Sequence, residues 1–157
     1  MRKLALAVMA GFVLCLAVPA MAEDNCPVSV RAAVEKTFPG STVKKCEMET
    51  EHGKQVYEVK LKTKDGHTSK MDIDPSGLVL VTNQYVATTD VPVVVMKTYQ
   101  GKYANYKVVR TEKLMYPDGK VTYRIVYAKD NGKRAVIYTP EGTFVEEIET
   151  VVDDDMD

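Results

Sequence analysis

Two rhythms of apolar and polar residues run along this chain, and they come round twice in the same order. Across residues 27–38, Val30, Ala33, Val34, Thr37 and Phe38 fall on one stripe at helical spacing while Arg31, Glu35 and Lys36 fall elsewhere, so the segment predicts an amphipathic helix. Asp24 or Asn25 can cap it, Pro27 suits its first turn, and Pro39-Gly40 stops it. The pattern returns further on: Asp90 can cap, Pro92 opens, and Val95, Thr98, Tyr99, Lys102 and Tyr103 share a stripe. Gly101 inside this second helix makes it the less stable of the two.

After each helix the period changes to two. A strand is expected at 43–50 and again at 106–116, followed by a stretch that is nearly written twice: GKQVYEVKLKTKDG at 53–66 and GKVTYRIVYAKDNG at 119–132. Each runs from a Gly-Lys turn through an alternating strand to an Asp-Gly or Asn-Gly turn, a strong hairpin signal. Tyr57, Val59 and Leu61 share one face, as do Tyr123, Ile125 and Tyr127; these are the residues expected under the helices. A two-residue turn at Asn131-Gly132 would set Tyr127 opposite Val136 and Ile125 opposite Tyr138. The first copy has one residue more, and a loop of Asp65-Gly66-His67 would set Leu61 opposite Met71 and Val59 opposite Ile73. Third strands end at Asp74-Pro75-Ser76-Gly77 and Thr139-Pro140-Glu141-Gly142, with Pro and Gly where β-turns favour them. Fourth strands are expected at 78–85 and 143–150, with 86–91 as the connector.

The expected fold class is α+β: two tandem helix-plus-four-strand repeats with an antiparallel sheet and the helices packed on one face. The repeats occupy 23–86 and 87–150. Before them, Arg2 and Lys3, an apolar run to Val18 and the small-x-small Ala20-Met21-Ala22 predict a signal peptide over 1–22, with no membrane anchor after cleavage. The residues preceding Cys15 are too large for a lipid-attachment site. After the repeats, 151–157 form an acidic tail expected to be disordered.

Export changes the reading of the cysteines. Once Cys15 leaves with the leader, Cys26 and Cys46 remain, and an even pair in an oxidising compartment reads as a disulfide. Closing a loop of that length contributes on the order of 3 kcal/mol. Two thiols with no histidine near them make a poor zinc set. Charge excludes a nucleic-acid platform: 21 basic residues face 22 acidic ones, and no basic stretch is interleaved with aromatics.

Residues 72–77 of the sequence, DIDPSG, match the start of a calcium loop, but Asn83 stands where a bidentate Glu is required, so a plain turn is the better reading. His52 and His67 fall in turns without a nucleophile or acidic partner, and no serine has a nucleophile-elbow context. No catalytic residue, metal or cofactor is assigned. Of the nine tyrosines, Tyr99, Tyr103, Tyr123, Tyr127 and Tyr138 are expected in the core and Tyr106 and Tyr116 at exposed strand ends.

The same alternation gives the faces turned away from the helices. In the first copy Val56, Glu58, Lys60, Lys62, Lys70, Asp72 and Asp74 form a charge-mixed surface expected to be solvated. In the second the face carries Thr122, Arg124, Val126, Ala128, Ala135 and Ile137, with Val126 opposite Ile137 in an apolar cluster. Such a cluster on a bare sheet face marks a partner surface.

The order helix, Pro-Gly stop, strand, GKxxYxVxL strand, DG turn, strand, DPSG turn and strand resembles the PepSY-like family. Tandem copies behind a signal peptide look like its stand-alone secreted members, which are compared with the beta-lactamase inhibitory protein for their fold. The resemblance implies an extracytoplasmic, periplasmic or secreted, protein that binds or restrains another protein and has no catalytic residues. The alternative is a small-ligand or envelope-sensor module that binds in a groove between the repeats.

Overall fold

The computed structural model describes residues 26–51 and 53–149. The expected signal peptide, the helix-capping Asp24 and Asn25, His52 and the acidic tail lie outside these residues.

Within them the chain runs α1 (Val28–Thr37), β1 (Thr42–Glu51), β2 (Lys54–Lys62), β3 (Thr68–Ile73), β4 (Val79–Val86), a 3-10 turn (Thr88–Asp90), α2 (Val93–Tyr103), β5 (Val108–Met115), β6 (Val121–Lys129), β7 (Gly132–Tyr138) and β8 (Phe144–Ile148). All eight strands form one antiparallel sheet in sequence order, and β4 pairs with β5 to join the two halves. Short loops explain the meander within each half, since an antiparallel neighbour needs only a tight turn, while the chain passes from β4 to β5 through the 3-10 turn and α2. The duplication extends to irregularities. A bulge falls between Val43 and Lys45 in β1 and between Val108 and Arg110 in β5, and another where β3 and β7 meet their fourth strands.

Both helices lie on the same face. Val30, Ala33 and Val34 of α1 cover Val59, Leu61, Met71 and Ile73. Val95, Tyr99 and Tyr103 of α2 cover Ile125, Tyr127, Val136 and Tyr138. Pro27 and Pro92 are themselves the N-cap residues, with no side-chain cap bond, so Asp90 belongs to the preceding 3-10 turn instead of capping α2. Thr98 and Lys102 on the expected second stripe are exposed, and Thr98 Oγ1 donates to the Val94 carbonyl. Tyr106 is half-buried against the second core, where an exposed strand end was expected.

Register differs from the sequence reading by two residues in both central hairpins. Val59 faces Met71 and Tyr57 faces Ile73, because residues 63–67 close a longer loop through Thr63 N–H to the His67 carbonyl, 2.8 Å. In the second copy Ile125 faces Val136, Tyr127 faces Arg134 and Val126 faces Ala135, because the turn sits on Asp130-Asn131 with Asp130 at φ 53. A shift of two leaves every side chain on its expected face. The Cys26–Cys46 disulfide is formed, with Cα atoms 5.5 Å apart, and it ties the start of α1 to β1.

Candidate functional site

The face opposite the helices holds the residues singled out from sequence, and its centre is shielded from solvent. Val126 and Ala135 are 0% exposed and Ile137 is 3%, while Arg124 and Ala128 are half-buried. In the first copy Val56, Lys60 and Lys70 are likewise buried. The expectation of a water-facing surface is therefore corrected at the centre of this face on both halves, whereas Lys62 is exposed and Glu58, Asp72 and Asp74 are partly so. Alternation identifies which side a residue takes; it carries no information about how far neighbouring chain shields that side.

Three strands build the centre of this face. Glu112 in β5 lies directly opposite Tyr85 of β4 and Arg124 of β6. Its carboxylate is 1% exposed and accepts three charge-assisted or amide bonds: from Arg110 Nε at 2.6 Å on Oε1, and from Asn83 Nδ2 at 2.7 Å and Arg124 Nη1 at 3.1 Å on Oε2. A buried carboxylate persists only when paired and hydrogen-bonded in this way. Across the sheet a row runs from Lys60 through Lys70 and Asn83 to Leu114 and Thr122. Lys70 Nζ donates to Glu58 Oε2 at 3.0 Å, with Lys60 3.8 Å from Oε1 of the same group. Charged pairs and the Val126–Ala135–Ile137 cluster thus share one shielded face.

The helix side carries different chemistry. Tyr127 Oη donates to Glu147 Oε1 at 2.6 Å and Tyr103 Oη to Oε2 at 2.7 Å, so β8 is fastened to β6 and α2. These two bonds hold the Glu147 carboxyl below its ordinary range. Burial, reinforced for Tyr127 by Glu147, pushes both hydroxyls up, and burial raises Tyr138 to about 12. This network stabilises neutral phenols and so opposes nucleophilic use of them. Sequence reasoning missed it, since Glu147 is separated from its partners along the chain and no local motif marks it.

Remaining sequence-predicted groups are placed without chemistry. Asp74 Oδ1 accepts from Ser76 N, Ser76 Oγ and Leu78 N, as a turn residue does. His67 is exposed, its Nε2 3.5 Å from Asp65 Oδ2. Among the described residues no group of three or more His, Cys, Asp or Glu could hold a metal, and no helix is long and apolar enough to cross a membrane. At the junction of the halves, on the helix side, a cleft of about 320 Å³ is lined by Thr37, Phe38, Val79, Thr82, Met115, Tyr116 and Pro117.

Residues 29–76 match the PepSY family model, the peptidase propeptide and YPEB domain, which spans α1 to the turn after β3. No curated protein matches the chain. Among solved structures, a candidate periplasmic protein of Bacteroides eggerthii superposes with a TM-score of 0.64 at 17% identity, covering 78% of this chain and 87% of that one. A DUF2874 family protein of Bacteroides ovatus gives 0.63 at 20% identity over 79% and 87%. A BLIP-like protein of Bacteroides fragilis gives 0.61 at 19% identity over 80% and 88%. The first repeat is PepSY-like, and the whole described chain has the BLIP-like fold.

Proposed function

We propose, for a chain whose first repeat is PepSY-like and whose fold is BLIP-like, a non-enzymatic extracytoplasmic binding protein that engages another protein through the face opposite its helices and restrains it. One observation carries this reading: apolar side chains and ionic pairs are gathered on a sheet face that neither helix covers. Val126, Ala135 and Ile137, already shielded within the chain, give this face a rigid apolar floor beside the buried Glu112, and the half-exposed Arg124 and Ala128 are the groups a partner would meet. The periplasmic description of a structural neighbour agrees with the compartment, as does a disulfide.

Photo-crosslinking tests it. A benzophenone side chain at position 128, on this face, should trap one envelope protein, and the same group at position 97, exposed on α2, should not. Trapping the same protein from both positions, or from 97 alone, would sink the assignment of the face.

A second reading has its own support in the cleft between the halves, whose Phe38, Val79 and Met115 suit a small apolar ligand. There Met115→Trp should abolish any ligand-induced rise in Tm. An undiminished rise would exclude the cleft.

A further inference from the structure

Val126 is 0% exposed on a face that neither helix covers, although Ala128 beside it and Ala135 opposite it carry one methyl each. Side chains standing on a sheet screen one another's flanks, but their tips are closed off only by a second layer. The long neighbours do not supply that layer. Arg110 and Arg124 are both drawn to Glu112 on β5, on the side of Val126 away from Ala135. Among the described residues no helix or strand lies across this face.

The rest of the chain offers few candidates for a cover. Residues 1–22 carry the expected signal peptide, which leaves on export. Residues 23–25 adjoin Cys26, which the disulfide holds to β1, and they reach about 10 Å where β6 lies about 24 Å away. His52 is a single residue between β1 and β2. There remains the segment 150–157, TVVDDDMD, which follows β8 at the sheet's other edge.

β8 delivers this segment to the row in question. Ile148 stands opposite Ala135, Ala135 opposite Val126, and Val126 opposite Arg110. Strands lie about 4.8 Å apart, so β7, β6, β5 and β4 are about 5, 10, 14 and 19 Å from Ile148. At about 3.3 Å per residue, Val151 and Val152 reach about 10–13 Å, over Ala135 and Val126, and Asp153 to Asp155 reach about 16–23 Å, over β5 and β4. The floor changes in the same order, from the apolar pair to the guanidiniums of Arg124 and Arg110 around Glu112. Arg124 keeps 27% of its side-chain surface and Arg110 17%, so a carboxylate arriving from above meets a donor. Lys133, half-buried on β7 opposite Ala128, adds a cation along the route, while Glu146 lies on β8 where the segment starts.

We propose that residues 150–157 fold back across β7, β6 and β5, with Val151 and Val152 on Ala135 and Val126 and the aspartates among Arg124 and Arg110. The face is thus held closed by the chain's own acidic segment, and a partner docks by displacing it. The internal contact needs no partner; its displacement alone rests on the reading of this face as the docking surface.

Protein beginning at Glu23, purified alone with the benzophenone at position 128, tests the contact first. Irradiation should join position 128 to a peptide from 150–157, read by mass spectrometry, and a benzophenone at position 97 should not make that link. Ending the chain at Glu149 should move the amide resonances of Arg110, Arg124, Val126 and Ala135 and leave those of α1 in place. Acetyl-TVVDDDMD added to the shortened protein should restore them saturably, and the same peptide with asparagine for every aspartate should bind about tenfold more weakly. A short tether supplies an effective concentration on the order of a millimolar, so the free peptide should half-saturate at or below that value. A link to other residues, resonances unmoved by shortening, or equal binding of the two peptides would overturn the proposal. Should the shortened chain fail to fold, Asp153→Asn with Asp154→Asn and Asp155→Asn in the full chain decides by the same resonances, and unchanged positions count against it. In envelope extract, shortening should raise the yield of partner trapped at position 128 about threefold, and an unchanged yield would overturn the displacement. A trapped partner with no internal link removes this inference and leaves the docking face standing. An internal link with no trapped partner does the reverse.

Discussion

Lys45 and Glu47 in β1 occupy the same places in the first repeat as Arg110 and Glu112 in the second, in the strand that follows each helix and beside equivalent bulges. The first pair sits on the sheet's outer strand, 2.8 Å apart with half its side-chain surface in water. The second sits in mid-sheet, 2.6 Å apart, with Glu112 1% exposed. One local motif has become two different objects because β5 acquired β4 as a neighbour and β1 has no strand on its outer side among the described residues. Duplication supplied the pair; position in the sheet gave it weight. The cores diverge the same way. Leu61, Ile73 and Val34 of the first become Tyr127, Tyr138 and Tyr99 of the second, and Thr82 becomes Glu147, which takes the tyrosine hydroxyls. Cys26 and Cys46 become Val91 and Thr111, so the staple of the first repeat is absent where the polar network of the second appears.

The largest difference should come from removing the two glutamates. Glu112→Ala strands Arg110 and Arg124 beside each other in a shielded place and should cost about 3–5 kcal/mol. Glu47→Ala, at a solvated edge, should cost under about 1 kcal/mol. Urea unfolding at constant m measures both, and similar losses would mean that burial on this face does not set the energetics.

The disulfide comes next. Cys26→Ala with Cys46→Ala should lose about 3 kcal/mol, through the greater freedom of the unfolded chain. Hydrogen exchange should show the loss concentrated in α1 and β1, with α2 and β8 nearly unchanged. A uniform loss would show that the two halves open as one unit.

Much of this comparison could be drawn from sequence. Helical stripes, strand alternation and the Cys26–Cys46 pairing were legible because each depends on spacing or on counting. Register was not: Asp130 at φ 53 carries the turn that Asn131-Gly132 was expected to make, and a dipeptide signal tolerates a slide of that size. The apolar cluster was legible as a cluster, since parity survives the slide. Its burial was not, because shielding depends on neighbouring strands that parity does not see. The Glu147 network and the Asn83–Glu112–Arg124 centre were invisible for the same reason, being made across four strands and a helix.

Glu147 sharpens the contrast between the cores at a smaller scale. Glu147→Gln replaces two charge-assisted bonds by weaker ones and should cost about 1–2 kcal/mol. Its folded carboxyl lies below the usual 4.5, so its contribution is present above that value and lost as pH falls through the folded one. The variant should lose that part of the acid limb. On the alkaline side Tyr138 is raised from 10 to about 12, so its contribution holds below pH 10 and disappears as pH rises through about 12. Tyr138→Phe should flatten that limb, whereas Ile73, its counterpart, gives the first core no such limb to lose. An alkaline limb unchanged in Tyr138→Phe would assign it elsewhere.

The smallest difference lies in two matched turns. Gly77 and Gly142 both have left-handed φ, +93° and +85°, so an alanine at either pays the same backbone strain of about 1 kcal/mol. What differs is the helix above. A Cβ at Gly77 would come within 2.8 Å of the Ser29 carbonyl oxygen, part of the helical backbone, and Ser29 Oγ already holds the turn by donating to the Pro75 carbonyl at 3.0 Å. At Gly142 the nearest atom is a Val94 methyl at 3.0 Å, on a side chain that stands where the first repeat has Ser29, and the helical backbone, the Val94 carbonyl oxygen, lies farther off at 3.2 Å. A methyl can yield by rotation; a helix start cannot yield without lifting α1 from Val59 and Met71. Gly77→Ala should therefore exceed Gly142→Ala by about 1 kcal/mol in urea unfolding. Equal costs would show that α1 is no more firmly seated on its turn than α2.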